Sequence, residues 1–364
     1  MGKKEINVDL QTITPLWTGD AWQENTKIRS SSLMGSLRFW FEVICYFAGI
    51  VSEKDFDSKK GRFEEEVNQD KFEKELKSNN TDFKSQIKTL KGMGIPVPSI
   101  VFGTTGWRSL IGIKEIKLLE DYCFGNVLNL PSRICVSKQN DEVKENNNCP
   151  KRSDENNWSV FYLSNSYFYG HFNVKFLVEE EILDSIFYPL LNFMDEYGYW
   201  GGKWNIGYGR LKIIGIKQNN NAKNDWTNNN KFNFSFEDNK NEEFDLSKYL
   251  KFVNNFANLI VINHEDKKIK ILHDKVQNQD LKDVIKELIK IKAKERAQNK
   301  NNGGDTEKRH EIFGTTKKPP NNENLLPQGS KILPYIKTKN GSYVGGFLSI
   351  ADLLEPYVEG ERDV

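Results

Sequence analysis

Alternating apolar and polar side chains open the chain. Across residues 5–13 (EINVDLQTI), Ile6, Val8 and Leu10 fall on one face and Asn7, Asp9 and Gln11 on the other, which is the two-residue period of a half-buried strand. After the turn-rich segment TPLWTGDAWQENTKIRSSS, Leu33, Leu37, Trp40, Phe41, Ile44 and Phe47 recur at helical spacing, with Ser31 or Ser32 as the natural N-cap. Residues 51–98 are dominated by charge and read as an insertion carrying an exposed helix (RFEEEVNQDKFEKELK). Beyond VPSIVFGTT, the alternation in IGIKEIKLL predicts a second strand, and the Asn-rich stretch 137–157 predicts a mobile loop. In GHFNVKFLV (170–178), Phe172, Val174, Phe176 and Val178 oppose His171, Asn173 and Lys175, a third strand. Ile182, Leu183, Ile186, Phe187, Leu190, Leu191 and Met194 then form a helical stripe with Pro189 as a kink inside it, and LKIIGIK supplies a further strand.

Strand, helix, strand, strand, helix, strand is the split βαβ plan of an α+β, ferredoxin-like (RRM-like) fold. It occupies residues 1–217. The Asn- and Asp-rich residues 218–247 read as a linker. Residues 248–364 hold a helix near DLSKYLKFVNNFA, short strands LIVINH and KIKIL, a charged helix LKDVIKELIKIKAKERA, and a hairpin KILPYIKTKNGSYVGGFLSI with an Asn-Gly turn. VFGTT at 101–105 recurs as IFGTT at 312–316, as a degenerate duplication would leave it. The expectation is two tandem, related domains, the second degenerate.

Composition narrows the chemistry. With 52 Lys plus Arg against 51 Asp plus Glu, the net charge of +1 cannot by itself hold a phosphate backbone, so any nucleic-acid affinity must come from a local patch. No run of about 18 apolar residues could span a bilayer, and no leader-like segment opens the sequence, so a cytoplasmic protein without membrane partners is expected. The cysteines, at 45, 123, 135 and 149, lack the two-residue spacing of zinc ribbons; Cys45 lies in an apolar helical pattern and reads as core.

Two segments carry candidate chemistry. In GYWGGKWNIGYGR (198–210), Gly201, Gly202, Gly207 and Gly209 would let backbone amides approach phosphates, Lys203 and Arg210 add charge, and Trp204 and Tyr208 offer faces on which bases could stack. The same run would serve as a plain turn between helix and strand, with Trp204 packed. It is neither a dinucleotide fingerprint, which follows a strand, nor a P-loop. In residues 14–40, Lys27 and Arg29 arrive just before a helix whose amides, with the Ser31 and Ser32 hydroxyls, can bind an anion. Gly35 in its first turns costs about 1 kcal/mol of helix propensity, as close approach of a ligand or another helix would justify.

These segments resemble the RAMP superfamily of CRISPR proteins. TPLWTGD followed by IRSSSLMGSLRFW is similar to the superfamily's opening strand end and first helix, and GGKWNIGYGRLKI to its glycine-rich loop before the last strand. LRFWFE and IVFGTTGWRS are most similar to the subunit family named first in the Cmr complex, the type III-B effector. The resemblance implies a non-catalytic, RNA-binding subunit of a ribonucleoprotein, without a cofactor. It would sit near the 3′ end of the guide against CRISPR RNA, target RNA and the complex's RAMP backbone subunits. RNA would meet Lys27, Arg29, Ser31, Ser32, Arg38, Gly202, Lys203, Trp204, Asn205, Tyr208 and Arg210.

Two alternatives stand beside it. In the family's backbone nucleases an aspartate in the loop after the first strand carries metal-assisted cleavage, and Asp20 lies in that loop. Such an aspartate is also ordinary turn chemistry, and no nearby carboxylate or histidine completes a site. None of His171, His264, His273 and His310 falls where a processing nuclease of this fold would place its general base. An assembly-only subunit would use the same aromatics and arginines at protein interfaces.

Overall fold

Strand β1 (Lys3–Thr12) lies in the middle of the main sheet with both edges paired. The computed structural model describes residues 2–20, 22, 24–47, 50–57, 60–78, 81–140, 142–151, 157–219, 221–222, 233–234, 244–245, 276–301 and 332–349. Helix α1 (Ser30–Phe47) follows β1. The charged segment then supplies a ribbon of β2 (Phe56–Asp57) and β3 (Arg62–Phe63) and helices α2 (Gln69–Ser78), α3 (Phe83–Gly92) and α4 (Val97–Phe102) before strand β4 (Ile111–Leu118).

Next come β5 (Phe124–Gly125), β6 (Arg133–Ser137), β7 (Val143–Glu145), β8 (Trp158–Tyr162) and β9 (Tyr167–Phe168), where β5 pairs β9 and the others form a sheet in the order β7-β6-β8. Strand β10 (His171–Glu179), helix α5 (Tyr188–Glu196), β11 (Leu211–Gln218) and β12 (Asn221–Ala222) complete the first half. The main sheet runs β12-β11-β1-β10-β4, all antiparallel. Its four long strands therefore stand in the order fourth, first, third, second with a helix after the first and after the third, which is the predicted ferredoxin-like plan.

Register explains which face is dry. Ile6, Val8 and Leu10 stand opposite Phe176, Val174 and Phe172, so all six point to the face that α1 and α5 cover. Leu33, Leu37, Trp40, Phe41 and Ile44 of α1 and Leu190, Leu191 and Met194 of α5 join them in one core. Helix α1 begins ahead of the expected serine caps: the Ser32 and Leu33 amides both donate to the Arg29 carbonyl, at 3.1 and 3.3 Å, so Arg29 holds the cap position. The expected kink at Pro189 is a wide turn of π geometry over Leu183–Phe187, after which Pro189 sits in the first turn of α5, where a missing amide hydrogen costs nothing.

Three expectations change. The insertion is not simply solvated: Phe63, Val67, Phe72, Ile87 and Leu90 are buried in the main core, and its helix starts at Gln69 rather than at residue 62. Within the 137–157 stretch, β7 pairs β6, and a Cys135–Cys149 disulfide (Sγ–Sγ 2.17 Å) closes the ribbon; pairing of cysteines this far apart left no spacing signal. The predicted linker contains a short ribbon of β13 (Asn233–Phe234) and β14 (Phe244–Asp245).

In the second half, β15 (Val276–Asn278) leads into helix α6 (Leu281–Asn301), and β16 (Ile332–Lys339) and β17 (Ser342–Ser349) form the predicted hairpin. Asn340 and Gly341 at its tip take φ of 51° and 74°, the left-handed pair that a two-residue turn of this kind demands. The sheet runs β15-β17-β16. The helix expected near DLSKYLKFVNNFA lies, after Asp245, outside the described residues, as do LIVINH, KIKIL and RHEIFGTT. Leu281, Val284, Ile285, Leu288 and Ile289 of α6, with Ile332, Ile336 and Phe347, share a second core with Ile206 and Tyr208 of the glycine-rich turn.

Arg38 fastens the insertion to α1. Its guanidinium pairs with Glu42 at 2.8 Å and Glu64 at 3.3 Å and donates to the carbonyls of Gly103 and Phe63. Burial pushes Glu42 up to about 7 against the opposing pull of Arg38. Because the folded value lies above the unfolded one, this group's contribution is complete at acid pH and is lost as pH rises through about 7. Unfolding free energy of the wild type should therefore fall by up to about 3 kcal/mol between about pH 5 and about pH 8, and Glu42→Gln should flatten that slope. Parallel slopes in denaturant titrations of the two proteins would remove Glu42 as its source.

Candidate nucleic-acid interface

The glycine-rich segment leaves α5, touches the loop between β1 and α1, and enters β11. Most of its amides are spent on protein. The Gly201 amide donates to Ser36 Oγ (2.9 Å), Gly202 to the Trp17 carbonyl (2.8 Å), Gly209 to the Pro15 carbonyl (2.8 Å) and Arg210 to Thr14 Oγ1 (2.9 Å). Gly201 (φ 72°) and Gly209 (φ 91°) have to be glycine, because a Cβ at either would overlap the Trp17 or the Trp200 carbonyl oxygen. The close approach that glycine permits here is therefore to the protein's own backbone.

Three residues expected on RNA are internal. Arg210 is 1% exposed; it donates to the carbonyls of Gly198, Asp195 (3.1 Å) and Glu196 (2.7 Å), which closes the C-terminal end of α5, and its guanidinium lies 4.6 Å from the Tyr335 ring centre. Tyr208 is fully buried, with its hydroxyl donating to the Ser164 carbonyl, so neither ring face can take a base. Arg38 is committed to the insertion, as described above.

What remains is a rim. Gly202, Lys203 and Trp204 are half-buried and Asn205 is exposed. Lys203 adopts a left-handed conformation (φ 62°, ψ 30°) and holds its ammonium 5.2 Å from the Trp17 ring centre, where burial lowers its pKa. Trp204 lies against Trp40 (5.8 Å between ring centres) and Phe39 (5.1 Å), so it is largely a packing residue with one margin open. The amides of Trp204 and Asn205, which open a single helical turn, have no acceptor among the described residues.

The β1–α1 loop stands beside this rim, joined to it by Trp17 and by Ser36. Lys27 and Ser31 are exposed, and Ser32 is half-buried. Arg29, expected to be open to phosphate, is paired with Asp20 at 2.6 Å. Asp20 itself is an anchor: Oδ1 accepts the amides of Trp22 (2.9 Å) and Glu24 (3.0 Å) while Oδ2 takes Arg29. No group of three metal-ligating side chains occurs among the described residues. His171 pairs with Glu120, and His264, His273 and His310 lie outside the described residues.

The open face of the main sheet makes a useful contrast. Register puts Glu5, Asn7, Asp9, Gln11, His171, Asn173, Lys175, Glu115, Lys117, Lys212 and Lys217 there, without a Phe, Tyr or Trp, and several are paired, Lys175 with Glu115 at 3.2 Å and Asn173 with Asp9 at 2.6 Å. An RRM-type stacking surface on that face is absent among the described residues.

Sequence reasoning missed Trp17 and Ser36, which join the two segments, and Lys292, whose ammonium donates to the Asn205 carbonyl (3.1 Å) and the Ile332 carbonyl (2.6 Å). Burial pushes Lys292 down to about 7. Its place four residues after Leu288, on the apolar stripe of α6, was the signal that could have found it.

Fold and turn together define the class: an α+β protein on a split βαβ core, whose second helix runs into the closing strand through a glycine-rich turn. A family model described as the RAMP superfamily matches residues 9–212, and the chain belongs to that superfamily. The chain is similar to a component of the type III-B Cmr-beta complex solved by cryo-electron microscopy bound to cognate target RNA (12% identity, 98% of this chain and 99% of that one, TM-score 0.43). It is also similar to apo Cmr1 from Pyrococcus furiosus (13% identity, 95% of this chain and 87% of that one, TM-score 0.41). No curated protein sequence matches it.

The division between packed and open residues has a stability consequence. Arg210→Ala strips donors from three carbonyls in the interior and should cost about 2–4 kcal/mol of unfolding free energy. Lys203→Ala at the rim should cost less than about 1 kcal/mol. Equal losses in denaturant titrations would contradict the assignment of Arg210 to the interior.

Proposed function

We propose that the chain is a non-catalytic RNA-binding subunit of a type III-B CRISPR ribonucleoprotein, acting in the cytoplasm and holding guide or target RNA near the 3′ end of the guide beside the RAMP backbone subunits. One observation carries this reading: the rim of the glycine-rich turn and the start of α1 lie side by side, tied by the Gly201–Ser36 hydrogen bond and the Gly202–Trp17 hydrogen bond. Open amides at Trp204 and Asn205, the Lys203 and Lys27 ammonium groups and the Ser31 hydroxyl thus edge one surface, which suits a phosphodiester strand. Membership of the superfamily and the sequence likeness to the Cmr subunit family support the same reading.

The Arg29 guanidinium held on Asp20 Oδ2 weighs against the alternative of a metal-dependent nuclease, because a metal cation at that carboxylate would have to displace Arg29 or lie against its charge. No helix among the described residues is long and apolar enough to cross a membrane. The second half is read as a tandem, degenerate copy of the first. Its order β15, α6, β16, β17 with the sheet β15-β17-β16 repeats the first three strands and first helix of the split βαβ plan. In each half the FGTT sequence falls between the first helix and the second strand.

Replacing Lys27 and Lys203 together with alanine should weaken single-stranded RNA binding and lower the slope of log affinity against log salt by about 0.7 per lost phosphate contact, with the melting temperature nearly unchanged. Binding and slope identical to wild type would overturn the proposal.

A further inference from the structure

We infer that Trp22 is a stacking platform for one unpaired nucleobase, and that Asp20 is the positioning residue that holds it out; this rests on the RNA-binding reading above. Trp22 is 83% exposed, and among the described tryptophans it is the one left open to solvent. An indole this exposed adds little to the isolated fold, since little of its own surface is buried.

Its amide is nevertheless tied down. The Asp20 carboxylate accepts the Trp22 and Glu24 amides, the Asp20 amide donates to the Glu24 carbonyl (3.1 Å), and Arg29 locks the second carboxylate oxygen. Buried Asn25 ties the far end of the loop to Thr18 (2.9 Å) and to the Leu16 carbonyl (3.3 Å). A ring whose own backbone amide is hydrogen-bonded loses less freedom when a base stacks on it.

The surroundings select the occupant. Among the described residues of the loop, the exposed Glu24, Thr26 and Lys27 are polar, whereas an aromatic anchor for a protein partner needs apolar contacts around it to exclude water. An exposed flat ring on the loop that Trp17 joins to the Lys203 rim matches a base whose own phosphates lie along that rim. The aspartate thereby acts through hydrogen bonds to the backbone, as a scaffold for the ring.

Affinity of the full chain for a short single-stranded RNA, and for the same strand made abasic, tests the inference. Trp22→Ala should lower affinity for the base-bearing strand about 5- to 150-fold without changing the salt slope, and leave the abasic strand unaffected. Trp22→Phe should recover part of the loss. Asp20→Asn, which keeps the Oδ1 acceptor, should bind within a few-fold of wild type, while Asp20→Ala should approach the loss seen in Trp22→Ala and add nothing to it in the double variant. Wild-type affinity in Trp22→Ala, an equal loss on the abasic strand, or a defect only in joining partner subunits would each overturn the inference. If Trp22→Ala is silent while the Lys27 and Lys203 variant loses binding, this inference alone falls; if wild type binds no RNA, both fall.

Discussion

Backbone meets backbone where the glycine-rich turn closes on the loop after β1, and the rest of the molecule is arranged around that contact. Gly209 bonds Pro15, Gly202 bonds Trp17, and Gly201 reaches Ser36 on α1, so a single short segment positions the central strand's exit, the first helix and the closing strand. On its other side the turn gives Ile206 and Tyr208 to the core shared with α6 and the β16–β17 hairpin, while Lys292 grips the Asn205 carbonyl. Side chains larger than hydrogen at Gly201 or Gly209 would force these elements apart.

This constraint accounts for the distribution of charge. Arg210, Arg38 and Lys292 are drawn inside, where each donates to carbonyls or carboxylates, because the close approaches leave backbone oxygens at helix and strand ends that need donors. At the rim itself, Lys203 and the neighbouring Lys27 are the cations left outside these internal networks.

Asp20 is held by its own loop and in turn holds that loop's shape. Held between two amides and Arg29, it shapes the loop. The predicted turn chemistry is what Asp20 performs in the folded loop; the exposed ring that the turn carries was not visible in the sequence, because WTGDAW reads equally well with Trp22 packed.

Local sequence determined the periodic elements, their order and their buried faces, since the periods of two and 3.6 are properties of the strand and helix themselves: Phe172, Val174 and Phe176 could only face one way, and so could Leu33, Leu37 and Trp40. It also marked the glycine-rich turn as a place of close approach. Tertiary structure alone decided what approaches. Gly207 meets Pro334 from the second half, Arg210 turns back onto α5, Arg38 crosses to the insertion, and Cys135 finds Cys149 across a ribbon that asparagines had disguised as a loop. Each of these depends on which distant segment arrives with the matching acceptor or surface, and a donor's residue type carries no record of whether that acceptor will be protein or ligand.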